Sequence, residues 1–311
     1  MNNKIKTAAV LGAGAVGSYV IWGLAKKKGI DLCVIADGER KQRLENEGLL
    51  INGEIFRPAV KTAREAHGVD LLIVALKYNA LSPALDDIEA VTGENTVVMS
   101  IMNGVNSEEI IAGRIGEEHM LYSLIKISSE HRDGGVWFNG EATPGIFFGE
   151  KGSPEISPRM AAVIDLFDGT PLRLHPTEDI VTAIWDKFAI NISNNLPQAV
   201  LGCGIGAYRD SSYAFDLYIR LRRETAAVAA AKGITISPEP DAMMKNGTFP
   251  KAARYSTLQD LDAKRPTEVD MFAGELCRMG KETGVPTPYS ECFYDLIKAL
   301  EEKNSGLFDY C

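Results

Sequence analysis

The sequence predicts an α/β domain built on a parallel sheet, followed by an all-helical domain. Short apolar segments alternate with amphipathic helical segments in the first part of the chain. A glycine-rich loop follows the first apolar segment, as in many α/β domains. Beyond Pro176, apolar residues recur with helical periodicity to the end of the chain. We therefore expect two domains, residues 1–177 and 178–311.

The first domain opens with a strand, a loop, a helix and a second strand. The strands are predicted at residues 6–11 and 32–36, and the helix at 16–28. A helical crossover of this kind joins parallel strands in a right-handed connection. The further elements expected in chain order are a hairpin through Asn52-Gly53, strands at 71–76 and 96–100 around a helix at 79–90, glycine-rich strands between 121 and 149, a helix at 158–167 and a strand at 172–174.

Four helical segments are predicted in the second domain. They span residues 178–201, 211–232, 267–284 and 289–302, with a loop and one short helix between 233 and 250. Thr267 is a suitable N-cap residue, which places Glu268 in the first turn of the third helix. Apolar faces on these helices fit a domain core and a homodimer interface equally well.

Composition excludes several classes of function. With 45% hydrophobic and 24% charged residues, the chain has the composition of a globular protein rather than a disordered or fibrous one. A net charge of −9 has the wrong sign for a general binder of nucleic acid or of anionic membranes. The five scattered cysteines form no metal-binding pattern, and neither a secretion signal nor a membrane-length apolar segment is present. We expect a cytoplasmic protein without a metal site.

A loop with the pattern GxGxxG separates the first strand from the first helix, the setting that identifies a dinucleotide-binding loop of the Rossmann type. Its residues are Gly12, Ala13, Gly14, Ala15, Val16 and Gly17. Gly12 would permit the tight turn, Gly14 would let the backbone approach a pyrophosphate, and Gly17 would let the helix pack closely. The helix N-terminus would face the anion. A glycine turn without a ligand is the alternative.

Asp37 lies 20 residues beyond Gly17, at the end of the second predicted strand. A carboxylate in this place accepts hydrogen bonds from the ribose hydroxyls of NAD. The basic residues Arg40, Lys41 and Arg43 follow directly, and they would either neutralise the 2′-phosphate of NADP or form the exposed face of the next helix. These residues leave the choice between NAD and NADP open.

Lys187, Asn191 and Asn195 are spaced to lie on one face of the helix predicted at 178–201. A solvated stripe on a mostly apolar helix explains this spacing as well as a functional site does. Glu268 has two interpretations as well, because a carboxylate in a first turn also complements the helix dipole.

Five segments together resemble the ketopantoate reductase (2-dehydropantoate 2-reductase) family, and the resemblance runs over essentially the full chain. They are residues 12–17, Val-Ala-Leu-Lys at 74–77, Asn-Gly-Val at 103–105, the segment 185–191 that begins Trp-Asp-Lys, and the two runs Ser-Thr-Leu-Gln-Asp and Thr-Glu-Val-Asp within 256–270. The resemblance implies a Rossmann domain followed by a helical domain, with the active site in the cleft between them and NADPH as the usual hydride donor. The implied reaction reduces 2-dehydropantoate to pantoate, a step of pantothenate biosynthesis.

The resemblance also implies roles for single residues. Lys187 would be the catalytic lysine that polarises the keto oxygen, and Glu268 would be its acidic counterpart. The residues expected to hydrogen-bond the substrate are Asn191, Asn195 and Ser256. Those expected to bind the cofactor, beside the glycine loop, are Asp37, Lys77 and Asn103. Lys77 and Asn103 follow predicted strands, where open α/β sheets bind their ligands.

Three positions depart from the family pattern. Ala253 and Ile205 stand where the family usually has asparagine, and Asp37 stands where it often has an arginine that binds the 2′-phosphate. A related 2-keto acid or 3-hydroxy acid dehydrogenase on the same fold is therefore the alternative among enzymes. A non-catalytic dinucleotide sensor is the alternative of another class, and it would need neither Lys187 nor Glu268.

Overall fold

A computed structural model describes residues 4–240, 244 and 250–310 of the protein. The chain forms two compact units, Met1–Ala183 and Ile184–Cys311. The division falls within a long helix, whereas the sequence places the domain boundary at residue 177, before this helix begins. No helix within the described ranges is long and apolar enough to span a membrane.

The first unit contains strands of three sheets and five α-helices. In chain order the strands are β1 (Thr7–Leu11), β2 (Asp31–Ile35), β3 (Leu49–Ile51), β4 (Glu54–Phe56), β5 (Ala59–Lys61), β6 (Leu71–Val74), β7 (Val97–Ser100), β8 (Tyr122–Lys126), β9 (Ser129–Arg132), β10 (Gly135–Phe138), β11 (Gly145–Gly149) and β12 (Leu174–Pro176). The helices are α1 (Ala15–Leu24), α2 (Gly38–Glu47), α3 (Leu85–Val91), α4 (Ser107–Ile115) and α5 (Pro158–Phe167).

The central sheet is parallel, with the strand order β5-β2-β1-β6-β7. Leaving aside the inserted β3–β4 hairpin, this is the strand order of a dinucleotide-binding Rossmann fold. All four residues of β6 are inaccessible to solvent, as expected for a central strand covered by helices on both faces. The order reverses between β1 and β6, which is where such sheets bind ligands at their carboxyl edge.

Two smaller sheets complete the first unit. One has the order β4-β3-β10-β9, and the other β12-β11-β8. The hairpin between β3 and β4 turns through Asn52 and Gly53, whose φ angles of 50° and 85° are those of the predicted turn.

Several elements of the first unit differ from the sequence prediction. The helix predicted at 79–90 is shorter, because two 3₁₀ turns, Tyr78–Ala80 and Ser82–Ala84, precede α3. Pro83 has no amide hydrogen to donate to the preceding turn, which prevents a continuous α-helix. Strand β5 and helix α4 were not predicted. The final strand begins two residues later than predicted, at Leu174.

The described part of the second unit consists of helices and the segments that join them. The helices are α6 (Ile180–Leu201), α7 (Ala207–Asp210), α8 (Ser212–Ala231), α9 (Ser256–Asp262), α10 (Glu275–Thr283) and α11 (Pro288–Asn304). The carboxylate of Glu224 in α8 accepts hydrogen bonds from the amides of Tyr289 and Ser290, which ties α8 to the start of α11. The short helix predicted between 233 and 250 falls largely outside the described residues.

The helix predicted at 267–284 begins as a π-helical turn, Asp270–Gly274, before α10. Thr267 accepts a hydrogen bond from the amide of Val269 at 3.2 Å, the contact expected of a capping threonine. Its hydroxyl also donates to Glu301 of α11 at 2.7 Å. Single π-helical turns occur often at functional sites, and this one begins two residues after Glu268.

Candidate functional site

The carboxyl edge of the central sheet gathers the residues predicted to bind the cofactor. Leu11 pairs with Ile35 of β2 and with Val74 of β6, and Val74 pairs with Ser100 of β7. Because these four strands end at the same level, the loops that follow them lie side by side. The predicted cofactor-binding residues in these loops are Gly12 to Gly17 after β1, Asp37 after β2, Lys77 after β6 and Asn103 after β7.

Two glycines of the loop after β1 are required by the protein's own packing. Gly12 has a φ of +103°, and a Cβ there would lie 2.5 Å from the carbonyl oxygen of Ala75. A Cβ on Gly17 would lie 1.8 Å from the carbonyl oxygen of Gly12. Any side chain at either position would therefore force the loop away from the sheet or α1 away from the loop.

Gly14 is different, because a Cβ added there would meet no protein atom within 4 Å. This glycine immediately precedes α1, whose first turn carries no acidic residue. The first amides of a helix have no intrahelical partners and carry a partial positive charge. The open space in front of them fits a pyrophosphate, as the sequence predicts.

Asp37 lies at the start of α2 with its side chain exposed and without a capping hydrogen bond. Nearby, the pKa of Asp87 in α3 is raised by burial and further by the negative charges of Asp37 and Asp86. Lys41, one of the three basic residues after Asp37, forms an ion pair with Glu65 at 2.7 Å. The carboxylates of Asp86 and Asp87 therefore lie near Asp37, and the positive charge of Lys41 is balanced by Glu65.

The loops after β6 and β7 are joined to each other. Lys77 is exposed and precedes the first 3₁₀ turn, while Asn103 is partly exposed. The side chain of Asn106 donates a hydrogen bond to the hydroxyl of Tyr78 at 3.3 Å. This contact fixes the relative positions of the two loops that carry Lys77 and Asn103.

A buried chain of hydroxyl groups supports the loop after β7, and sequence reasoning missed it. The hydroxyls of Ser100 and Ser107 are 2.8 Å apart, and Ser107 donates to the carboxylate of Glu108 at 2.8 Å. The Ser123 hydroxyl donates to the carbonyl oxygen of Ser100. All four residues are buried. They anchor the start of α4, whose short and weakly amphipathic sequence did not indicate a helix.

In the second unit, α6 carries the predicted polar stripe. Lys187 and Asn191 are partly exposed, and Asn195 is buried. The same face continues through Gln198, eleven residues beyond Lys187, which sequence reasoning did not include. The signal that could have found Gln198 is this continued helical spacing.

Asn194 also belongs to the stripe. It follows Lys187 by seven residues and is completely buried. Within the described part of the chain, neither its amide nitrogen nor its amide oxygen has a hydrogen-bond partner. By contrast, the main-chain carbonyl oxygen of Asn194 accepts a hydrogen bond from the hydroxyl of Tyr208 at 2.6 Å. Burying polar side chains such as Asn194 and Asn195 lowers stability unless they are hydrogen-bonded. Since this end of the stripe is not in contact with solvent, a solvated helix face does not explain it.

Ser256 and Asn195 are brought together although 61 residues separate them in the sequence. The amide of Asn195 donates to the hydroxyl of Ser256 at 3.4 Å. Ser256 is exposed and begins α9. Two of the three residues predicted to bind the substrate therefore form one contact on the side of α6.

Packing anchors the helical segments that carry Lys187 and Glu268. Phe188, next to Lys187, is buried with its ring centroid 6.3 Å from that of Phe272 in the π-helical turn. The carbonyl oxygen of Glu268 accepts hydrogen bonds from the amides of Met271 and Phe272, and its side chain is partly exposed. The same aromatic contact thus supports both predicted catalytic residues.

The two substrate-side departures lie in one apolar cluster. Ile205 is completely buried, and its amide donates to the carbonyl oxygen of Ala253 at 2.9 Å. Around them pack Tyr208, Tyr218 and Tyr255. Ala253, three residues before Ser256, is therefore packed against buried apolar side chains.

Comparison with known proteins agrees with this arrangement. Residues 8–151 match the family model described as ketopantoate reductase PanE/ApbA, and residues 179–301 match that of its C-terminal part. The chain is 26% identical to a 2-dehydropantoate 2-reductase of Streptococcus pyogenes serotype M1, over 94% of this chain and 97% of that protein.

Two solved structures share the fold. A PanE/ApbA family ketopantoate reductase from Ralstonia eutropha JMP134 has a TM-score of 0.80 at 22% identity, covering 96% of this chain and 99% of that one. The ternary structure of D-mandelate dehydrogenase with NADH and anilino(oxo)acetate has a TM-score of 0.83 at 25% identity, with the same coverage of both chains. The predicted fold class, a Rossmann-type sheet domain followed by a helical domain, is confirmed.

Proposed function

This chain belongs to the ketopantoate reductase family, and on that premise we propose that it reduces the ketone of 2-dehydropantoate to the alcohol of pantoate. It is an oxidoreductase of the 2-dehydropantoate 2-reductase type. The observation that carries the proposal is the polar stripe of α6, in which Lys187 and Asn191 continue to the contact between Asn195 and Ser256. A non-catalytic sensor would have no use for this set of groups.

Reduction of the ketone adds a hydride to the carbonyl carbon and a proton to the carbonyl oxygen. When bound, NAD(P)H supplies the hydride that forms the new C–H bond. The ammonium of Lys187 hydrogen-bonds the keto oxygen and transfers a proton to it as negative charge develops there. Glu268 hydrogen-bonds the substrate hydroxyl or assists the proton transfer. Asn191, Asn195 and Ser256 hold the carboxylate and hydroxyl of the substrate by neutral hydrogen bonds.

For the cofactor, the glycine loop and the N-terminus of α1 bind the pyrophosphate. Lys77 and Asn103 would bind the nicotinamide and its ribose. Asp37 accepts hydrogen bonds from the adenosine ribose, and its charge repels a 2′-phosphate. The ion pair of Lys41 with Glu65 and the nearby acidic pair Asp86 and Asp87 support this choice. We therefore propose NADH as the better cofactor, in contrast to the NADPH that the family resemblance implies.

The test is a turnover assay with purified protein, 2-dehydropantoate, and NADH or NADPH in separate series. We expect saturable oxidation of the cofactor, with kcat/KM about tenfold or more higher for NADH, since one unfavourable charge contact of about 1.4 kcal/mol gives that ratio. A preference for NADPH would refute the role of Asp37. Cofactor binding without oxidation would favour the dinucleotide sensor, and failure to bind either cofactor would refute the whole proposal.

A second candidate is reduction of a 2-keto acid with an apolar substituent. The apolar cluster of Ile205 and Ala253 favours it, as does the likeness to a D-mandelate dehydrogenase. A matched pair of substrates separates the two candidates: 2-dehydropantoate and its deoxy analogue 3,3-dimethyl-2-oxobutanoate differ by one hydroxyl. A site built to bind that hydroxyl rejects the analogue by about 10⁴-fold, whereas an apolar pocket accepts both within about 100-fold.

A further inference from the structure

Gln198 has a buried side chain, and both the nitrogen and the oxygen of its amide group form hydrogen bonds. Its nitrogen donates to the carbonyl oxygen of Ala253 at 3.0 Å, and its oxygen accepts from the amide of Tyr255 at 2.6 Å. The residue is 1% exposed, so water does not compete for these bonds. Two opposite hydrogen bonds from one planar group fix both the position and the orientation of the backbone at 253–255.

The same segment is also bonded to the turn that follows α6. The amides of Ile205 and Gly206 donate to the carbonyl oxygens of Ala253 and Lys251, each at 2.9 Å. A Cβ on Gly204 would lie 2.2 Å from the carbonyl oxygen of Lys251, so only glycine permits the close approach. The segment 251–255 is thus held both by this turn and by the side chain of Gln198.

Ser256 follows this segment directly. The distance of 3.4 Å from its hydroxyl to the amide of Asn195 is at the long end for a hydrogen bond, and such a contact is too weak to position the hydroxyl by itself. Gln198 lies three residues from Asn195 on the same helix. The two bonds made by Gln198 therefore help to set the distance between the Ser256 hydroxyl and the stripe of α6, together with the bonds from Ile205 and Gly206.

We propose that Gln198 is a positioning residue for substrate binding, which acts by holding Ser256 at its place beside α6. This inference rests on the proposed function, because Ser256 binds the 2-keto acid only if the protein is the reductase described above. Gln198 touches neither the substrate nor the cofactor. Its loss lowers the fraction of molecules in which Ser256 is correctly placed, and the apparent affinity falls by the same fraction.

The test is a double-mutant cycle of Gln198→Met and Ser256→Ala, assayed with 2-dehydropantoate at saturating cofactor. Methionine has a similar length and lacks both hydrogen bonds. We expect Gln198→Met to raise KM about tenfold with kcat changed less than about twofold. In the Ser256→Ala background the same change should raise KM less than about twofold, because Gln198 acts through the missing hydroxyl.

Gln259→Met is the matched control. The side chain of Gln259 also donates a hydrogen bond to the backbone of this segment, at 2.7 Å from the carbonyl oxygen of Arg254. Gln259 belongs to α9, however, so this bond does not link the segment to α6. We expect this variant to leave KM within about twofold of the wild type. Thermal unfolding of all variants, measured in parallel, shows whether any change in KM follows a general loss of stability.

Three results would overturn the inference. They are an unchanged KM in Gln198→Met, additive effects of the two substitutions, and an equal rise of KM in Gln259→Met. If Gln198→Met does not fold, Gln198→Leu replaces it, since leucine also lacks both hydrogen bonds and places no charge in the buried site. Lack of turnover in the wild type would refute the proposed function instead. Binding of pantoate, measured by calorimetry, then tests Gln198 in the same cycle without turnover.

Discussion

Gly14 immediately precedes α1 and Gly17 lies in its first turn, and the structure predicts opposite consequences for their replacement by alanine. At Gly17 the new Cβ would lie 1.8 Å from the carbonyl oxygen of Gly12, where an ordinary contact needs about 3.5 Å. Helix α1 or the loop must therefore move by more than about 1 Å within a packed region. We expect Gly17→Ala to lower the free energy of unfolding by about 3 kcal/mol or more.

At Gly14 the Cβ meets no protein atom within 4 Å, and the φ of −81° is accessible to alanine. The position precedes α1, where alanine is a poorer cap than glycine, so Gly14→Ala should cost only about 0.5 kcal/mol of stability. Its methyl group instead occupies the space in front of the first amides of α1. Loss of charged hydrogen bonds worth about 3 kcal/mol to the pyrophosphate would weaken NADH binding by about 100-fold.

Both variants are measured by denaturant unfolding and by calorimetric titration with NADH. The expected pattern is a stable Gly14→Ala protein that does not bind the dinucleotide well, and an unstable Gly17→Ala protein. Wild-type affinity in Gly14→Ala would show that the open space in front of α1 is not the pyrophosphate site. Equal losses of stability in the two variants would refute the packing argument.

Lys187→Ala should abolish turnover while NADH still binds nearly as in the wild type, which calorimetry and a turnover assay will show. Asp37→Asn should reduce the preference for NADH over NADPH about tenfold, measured as the ratio of kcat/KM values. Burial opposes ionisation of Glu301, but hydrogen bonds from Lys298 and Thr267 outweigh it and lower its pKa. Glu301→Gln should therefore cost about 1 kcal/mol at neutral pH, and the difference should disappear as the pH falls below the native pKa of Glu301.

Each of these three expectations has a clear contrary result. Residual turnover in Lys187→Ala near the wild-type rate would remove the proposed proton donor. An unchanged cofactor ratio in Asp37→Asn would mean that Asp37 does not contact the ribose. A stability loss in Glu301→Gln that persists at low pH would show that shape, rather than the charge of the carboxylate, holds the start of the π-helical turn.

Local sequence patterns were sufficient for four of the five strands of the central sheet and for the glycine loop. The apolar segments of β1, β2, β6 and β7 and the amphipathic α1 follow from composition and periodicity over ten residues or fewer. The GxGxxG pattern predicted different roles for its glycines, and the packing of Gly12 and Gly17 agrees with them. The membership of the chain in the ketopantoate reductase family was likewise predicted from short motifs and is confirmed.

What the sequence did not reveal depends on contacts between distant residues. The α6 stripe was predicted from spacing, but its contact with Ser256 and the hydrogen bonds of Gln198 span more than fifty residues. The buried Ser100–Ser107–Glu108 chain and the π-helical turn after Glu268 also have no local signature. The sequence alone determined most of the elements, because periodicity and capping act over a few residues. Only the tertiary structure decided which side chains meet, because that depends on how the helices pack around a shared core.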